Sequence, residues 1–126
     1  SDSTEAWPQF EDLTARFVYM RLHGTETKYS GEYSDASLDR WARRITSWRG
    51  GAQPADARLA APELAPPRAQ RRDVYCYFDN DVKTKAPFDA GRLMERLGLH
   101  PHGPLPEKAA AARRQSEREP EPQGEK

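Results

Sequence analysis

The chain has 126 residues and carries 20 Lys and Arg against 20 Asp and Glu, so its formal net charge is zero. This length suits at most one domain, and the balanced charge gives no indication of a nucleic-acid-binding surface, which depends on clustered basic residues. The single cysteine excludes an intrachain disulfide and a four-cysteine zinc site, and the lack of a long apolar run or a signal-peptide pattern predicts a cytoplasmic protein without a membrane span.

The first β-strand is predicted directly after a polar start. That start is expected to be a loop with a short helical turn at residues 9–13. Residues 17–23 then alternate as a strand in which Val18, Met20 and Leu22 share one face. The opposite face carries Phe17, Tyr19, Arg21 and His23. Because neither face is typical of a solvated surface, we expect this strand to be covered on both sides, as in a parallel α/β sheet.

An amphipathic helix is predicted after the loop that follows this strand. Ser34 is a suitable N-cap, and Asp35 in the first turn interacts favourably with the helix dipole. Apolar residues then recur at helical spacing, at Leu38, Trp41, Ala42, Ile45 and Trp48. The Gly50-Gly51 pair is typical of a helix end.

Residues 50–72 are rich in Ala, Pro and Arg and have no sustained period. The four prolines in this stretch exclude a long helix, so we predict an inserted surface segment with extended character near Pro66 and Pro67. It is either a docking segment for a protein partner or a tolerated insertion between helix and strand. The second interpretation is favoured because long surface loops cost little stability.

A second strand and helix follow the insertion. Residues 74–79 are predicted as a strand whose two faces carry Val74, Cys76 and Phe78 on one side and Tyr75, Tyr77 and Asp79 on the other. Pro87 is predicted at the first helical position, and Gly98 is expected to end the helix. The apolar stripe of this helix consists of Ala90, Leu93, Met94 and Leu97. Residues 100–126 have no hydrophobic face and are predicted to be a disordered tail.

The order strand, helix, strand, helix predicts two βα units of a parallel sheet with right-handed crossovers. In such folds the side chains that bind and react lie beyond the carboxyl ends of the strands. The apolar strand faces are expected to point outward to the helices, and the mixed faces toward a barrel axis. The carboxyl edge would then bring together Arg21, His23, Asp79, Asn80 and Asp81.

Each residue of this edge has a functional interpretation and a structural one. His23 is a candidate general base, proton shuttle or metal ligand; the alternative is a histidine packed at the strand exit. Arg21 is suited to bind a carboxylate or a phosphate; the alternative is an internal salt bridge to Asp79.

The polar residues after the second strand are less specific. Asp79, Asn80 and Asp81 resemble an edge that binds a hard metal ion or sugar hydroxyls, but the same residue types are common turn formers. Tyr29 and Tyr33 lie on the loop after the first strand, where they either form an aromatic lid over a ligand or pack that loop down. The sequence contains no P-loop, no dinucleotide-binding glycine motif and no zinc motif, and we assign no cofactor and no metal site.

Four stretches form a specific combination: F-V-Y-M-R-L-H-G at 17–24, Y-S-G-E-Y-S-D at 29–35, L-D-R-W-A-R-R-I-T-S-W at 38–48 and D-V-Y-C-Y-F-D-N-D at 73–81. Together they resemble the C-terminal part of the DUF72 (YecE-like) family. The resemblance implies a TIM-barrel-like fold of which this chain provides the last two βα units, with residues 1–3 at the exit of the preceding strand. It implies rim positions for Arg21, His23, Tyr29, Tyr33, Asn80 and Asp81, whereas Asp79 stands where many relatives have Asn. The family offers no established activity to transfer.

The fold expected from this resemblance is an incomplete barrel. Residues 1–99 would be the C-terminal portion of a DUF72-like barrel, with the insertion at 50–72 and a disordered tail at 100–126. A complete barrel needs roughly 250 residues. The chain is therefore expected to be a truncated chain or gene fragment that is poorly stable alone and prone to association.

The function expected for the parent barrel is binding of a small polar or anionic ligand at the carboxyl ends of its strands. His23 and Asp81 are the candidate catalytic residues, and the candidate ligand-binding residues are Arg21, Tyr29, Tyr33, Asp79 and Asn80. Whether the parent is an enzyme stays open. The alternatives are a non-enzymatic interaction module with an unidentified protein partner and a non-functional remnant.

Overall fold

The computed structural model describes residues 2, 8–24, 32–80 and 85–100, and these form two strands and two helices in strict alternation. The elements are β1 (Phe17–Leu22), α1 (Asp35–Arg49), β2 (Asp73–Phe78) and α2 (Ala86–Arg96). The two strands pair in parallel, with Phe17 opposite Asp73 and Leu22 opposite Phe78. The predicted α/β class and parallel pairing are confirmed. Most of the predicted tail, residues 101–126, lies outside the described residues.

The two strands bury one face and expose the other, so among the described residues the predicted cover on both sides of β1 is absent. Met20 and Leu22 are buried in a core shared with Leu38, Trp41, Ile45 and Trp48 of α1 and Leu93 of α2. On the opposite face Phe17, Tyr19, Tyr75 and Tyr77 are each about half exposed, at 50–58%. Their rings pair across the strands, Phe17 with Tyr75 at 6.2 Å and Tyr19 with Tyr77 at 5.3 Å between centroids. The helices therefore cover a single face of this two-stranded sheet.

Both helices begin and end close to the predicted positions. The Ser34 side chain caps α1 by accepting a hydrogen bond from the Ser37 backbone N–H at 3.2 Å. Helix α2 begins at Ala86, so Pro87 is its second residue and the predicted first position is wrong by one. Either position suits proline, because the first backbone N–H groups of a helix have no partner within the helix. No helix among the described residues is long and apolar enough to cross a membrane.

The strand boundaries also differ slightly from the prediction. Strand β1 ends at Leu22 and not at His23, whose backbone N–H donates to the Asp2 side chain at 2.7 Å. Strand β2 covers Asp73–Phe78, one residue earlier than predicted.

The insertion is hydrogen-bonded to the segment that precedes β1. The Asp12 carboxylate accepts hydrogen bonds from the backbone N–H groups of Ala60 and Ala61 at 2.8 and 3.0 Å, and these bonds lower the pKa of Asp12. The Glu11 backbone N–H donates to the Arg58 carbonyl at 2.9 Å. The helical turn predicted at residues 9–13 is absent, because these backbone and side-chain groups bond to the insertion.

A buried arginine connects the two ends of the insertion by hydrogen bonds. Arg72 is 3% exposed and donates to the carbonyl oxygens of Gly51 and Pro67 at 2.7 and 2.6 Å. Gly51 adopts a positive φ of 82°, and a Cβ atom there would lie 2.2 Å from the Ala69 carbonyl oxygen. Only glycine fits this approach. The two ends of the insertion are therefore held together by side-chain and backbone contacts.

Cys76 should be protected from thiol reagents in the folded chain. Burial, together with the negative charge of Asp2, raises the pKa of the Cys76 thiol to about 12. At about pH 8 roughly one thiol in ten thousand is then the reactive thiolate, against about a quarter for an exposed cysteine of pKa about 8.5. We expect disulfide-exchange labelling to be at least about a thousandfold slower in buffer than in denaturing guanidinium, and to accelerate as the pH is raised toward 12. Similar rates with and without denaturant would contradict this packing.

Candidate functional site

The carboxyl ends of the two strands bring three charged or titratable side chains together. The last paired residues are Leu22 and Phe78, and the Asp79 backbone N–H continues the pairing by donating to the Leu22 carbonyl at 2.8 Å. His23 and Asp79 therefore follow paired positions directly. Arg21 lies two residues before His23 on the same face of the strand.

The three side chains meet at one oxygen atom. Asp79 Oδ2 accepts a hydrogen bond from Arg21 Nη2, and it lies 2.8 Å from His23 Nδ1. The Arg21 side chain is 49% exposed and that of Asp79 33%, whereas the His23 side chain is only 12% exposed. The salt bridge that the sequence left as an alternative for Arg21 is present. Because both partners are partly solvated, this ion pair contributes little to stability and can exchange partners.

A buried carboxylate near the start of the chain fixes the backbone around this site. Asp2 is 7% exposed. It accepts hydrogen bonds from the His23 backbone N–H at 2.7 Å and from the Tyr33 hydroxyl. Its own backbone N–H donates to the Arg21 carbonyl at 3.2 Å. This role of Asp2 was not predictable, because no local pattern relates Asp2 to a strand that begins 15 residues later.

Tyr33 lies beneath the site and not over it. Its side chain is 1% exposed, and its ring packs edge-on against Phe78 at a centroid distance of 5.6 Å. The hydroxyl donates to Asp2 and accepts from the Gly24 backbone N–H at 2.7 Å. Burial and the neighbouring Asp2 carboxylate raise the pKa of Tyr33. This position matches the packing alternative for Tyr33, and a ligand-binding role for its side chain stays a prediction.

Asn80 connects the end of β2 to helix α2 through a second buried carboxylate. Asn80 and Asp89 are both fully buried. Asp89 Oδ2 accepts from Asn80 Nδ2 at 2.8 Å and from the Tyr33 backbone N–H at 3.1 Å, and Asp89 Oδ1 accepts from Arg92 Nη1 at 3.0 Å. Sequence reasoning missed Asp89. Its position in the first turn of α2 was the available signal, because the helix dipole favours an anion there.

Two predicted site residues, Tyr29 and Asp81, lie outside the described residues, and their roles stay predictions. Among the residues that the structure does describe, no group of three or more His, Cys, Asp or Glu side chains is arranged to hold a metal ion. The described site therefore consists of Arg21, His23 and Asp79, supported from below by Asp2, Tyr33, Asn80 and Asp89.

The exposed part of this cluster has two chemical capacities. A half-exposed guanidinium can bind a carboxylate or phosphate through more than one N–H group, and Nη2 is the atom of Arg21 that contacts Asp79. An imidazole beside a carboxylate is held in one orientation and can carry a proton to or from a bound molecule. Both groups lie at the strand edge where parallel α/β proteins bind ligands.

These features define an α/β protein with a polar cluster at the carboxyl ends of parallel strands. A family model described as protein of unknown function DUF72 matches residues 1–115. The chain belongs to the DUF72 family, and the predicted membership of this family is confirmed. No curated protein and no solved structure matches the chain.

Replacing Asp89 should weaken the fold far more than replacing a comparable exposed carboxylate. In Asp89→Asn, one amide oxygen and one NH₂ group would face three donors, from Tyr33, Asn80 and Arg92. We expect a loss of about 3 kcal/mol in the free energy of unfolding, as for a broken buried ion pair. Urea denaturation followed by circular dichroism measures this loss.

The matched control is Asp39→Asn, because the Asp39 side chain is 50% exposed and contacts Arg96 on the surface. This change should cost less than about 1 kcal/mol. Equal losses for the two variants would show that the Asp89 contacts do not hold α2 to the strand ends.

Proposed function

We propose that the carboxyl edge of β1 and β2 binds a small polar or anionic ligand. The observation that carries this proposal is the convergence of Arg21 and His23 on a single oxygen of Asp79 at that edge. A site with one fixed cation, one carboxylate and one imidazole is neutral when the imidazole is neutral. It gains a positive charge when the imidazole is protonated, which favours an anion.

Arg21 is the residue that would contact an anion. Its side chain is 49% exposed, in contrast to the 12% of His23. An incoming carboxylate or phosphate would compete with Asp79 for the guanidinium, and the exposed pair costs little to open. Asp79 would then stay close to His23 and balance its charge.

The same site has a group for proton transfer. The contact between His23 Nδ1 and Asp79 supports a role for His23 as a general base or acid toward a bound ligand. The parent protein would then be an enzyme, although the reaction is not specified by these residues. Asp81 remains a second catalytic candidate on the strength of its place in the sequence alone.

The proposed setting of this site is a TIM-barrel-like sheet of which β1 and β2 are the last two strands. Membership of the DUF72 family and the parallel order of the two βα units support this setting. The half-exposed aromatic residues of the uncovered face also support it, because inward-pointing side chains fill the centre of such a barrel. Two strands cannot close a barrel, so the described residues would be a part of one.

Inorganic phosphate is the simplest probe of the site. On titration of the isotope-labelled chain with phosphate near neutral pH, we expect NMR shifts confined to the backbone amides of residues 21–24, 79 and 80. Arg21→Gln should weaken binding by about tenfold or more, the value of one charge-assisted hydrogen bond. A parallel titration with glucose, a neutral polyol, distinguishes a general preference for hydroxyl groups from a preference for anions.

The matched control is Arg43→Gln, because Arg43 is an exposed arginine on α1 and the change removes the same charge. Arg43→Gln should leave the shifts and the affinity unchanged. Equal weakening by both variants would indicate non-specific attraction of phosphate to positive charge. Absence of any shift with phosphate and with glucose would contradict the proposed site.

A further inference from the structure

The Asp79 carboxylate limits which anions the carboxyl edge of the strands can accept. Its Oδ2 atom accepts a hydrogen bond from Arg21 Nη2 and lies 2.8 Å from His23 Nδ1. An anion that binds the Arg21 guanidinium has to replace this oxygen as its partner. The chemistry of the ligand therefore depends on what Asp79 contacts once Arg21 is bound to the ligand.

Asp79 stays beside such a ligand because its backbone is fixed. The Asp79 backbone N–H donates to the Leu22 carbonyl at 2.8 Å. The next residue, Asn80, is fully buried, and its side chain donates to Asp89 Oδ2 at 2.8 Å. Whichever rotamer the Asp79 side chain adopts, its carboxylate therefore remains at the carboxyl edge of the sheet.

Two negative groups would lie side by side if the ligand were a simple anion. When the ligand binds the guanidinium, the Asp79 carboxylate loses a donor and faces the anionic oxygens of the ligand. Like charges repel, and two acceptor groups cannot form a hydrogen bond with each other. Solvent weakens this repulsion but does not remove it, since the Asp79 side chain is only 33% exposed. A ligand that carries only acceptor oxygens is therefore a poor match for the site.

A hydroxyl group close to the anionic group removes this conflict. It donates to Asp79 while the anionic oxygens of the ligand accept from Arg21, so both protein groups keep a partner. The two groups of the ligand have to be close together, because Arg21 and His23 both contact the same oxygen of Asp79. Inorganic phosphate has this combination near neutral pH, since it retains at least one O–H group.

We infer that the carboxyl edge selects a 2-hydroxycarboxylate, in which the carboxylate and a hydroxyl group are on adjacent carbon atoms. This assignment of a ligand class rests on the proposed anion site. Arg21 would bind the carboxylate, and Asp79 would accept from the hydroxyl group, which would then lie close to His23. A phosphate ester matches less well, because its ester oxygen places the nearest carbon-bound hydroxyl group further from the anionic oxygens.

Glycolate and acetate are matched probes, because each carries one carboxylate and they differ by one hydroxyl group. Each is titrated into the isotope-labelled full chain near neutral pH, and binding is followed by NMR at the backbone amides of residues 21–24, 79 and 80. We expect glycolate to bind about tenfold more tightly than acetate, the value of one hydrogen bond to a charged group. Ethylene glycol, which has hydroxyl groups but no charge, should leave these amides unshifted.

Asp79→Asn tests the role assigned to the carboxylate. Because the variant lacks the negative charge, acetate should bind more tightly, and the preference for glycolate should fall below about twofold. The matched control is Asp73→Asn, since Asp73 is an exposed carboxylate at the opposite end of β2. Asp73→Asn should retain the tenfold preference. Circular dichroism verifies that both variants fold, and the comparison of the two acids in the unaltered chain does not depend on either variant.

The possible failures have different signatures. Equal affinities for glycolate and acetate, both weakened by Arg21→Gln, would leave the anion site in place but contradict selection for a hydroxyl group. A tenfold preference that persists in Asp79→Asn would contradict the role of Asp79. Absence of shifts with both acids and with phosphate would overturn the anion site itself, and the assigned ligand class with it.

Discussion

Tyr33 joins two buried carboxylates that come from opposite ends of the described chain. Its hydroxyl donates to Asp2 and its backbone N–H donates to Asp89. Asp2 in turn holds the backbone at Arg21 and His23, and Asp89 holds the side chain of Asn80. The ends of both strands and the start of α2 are therefore fixed relative to one residue, although no single segment of the sequence contains these partners.

The buried charged groups of this region hold the backbone in place, whereas the partly exposed ones form the proposed binding site. Asp2 and Asp89 are buried, and a buried carboxylate is tolerated only when donors satisfy it, so these contacts are specific and costly to lose. Arg21 and Asp79 are partly solvated, so their contact is weak and can be replaced by a contact with a ligand. The arrangement thus combines a rigid base with exchangeable groups at its surface, which is what a preformed binding site requires.

The sequence predicted the parts of this fold that depend on near neighbours along the chain. The alternation of Val18, Met20 and Leu22 identified the buried face of β1, and the spacing of Leu38, Trp41, Ile45 and Trp48 identified that of α1, because side-chain direction follows local periodicity. The meeting of Arg21, His23 and Asp79 followed from parallel pairing. The contacts of these strand ends with Asp2 and Asp89 were not predictable in the same way, since Asp2 bonds to His23 and Tyr33, 21 and 31 residues away, and Asp89 bonds to Tyr33, 56 residues away. The inward direction of Asn80 was also missed, because alternation no longer applies after the last paired residue of β2.

The closure of the insertion by Arg72 has a consequence for how the chain tolerates change. The Arg72 guanidinium bonds to the Gly51 carbonyl, so the residue two positions after the end of α1 and the residue directly before β2 are held together by one side chain. The intervening loop can then change in length without changing the distance between its two ends. Residues can be added near Leu64, which is 68% exposed, at a cost that grows only with the logarithm of loop length. A change of length there would leave the contacts of Asp12 and Arg72 in place, and with them the relative position of the two βα units.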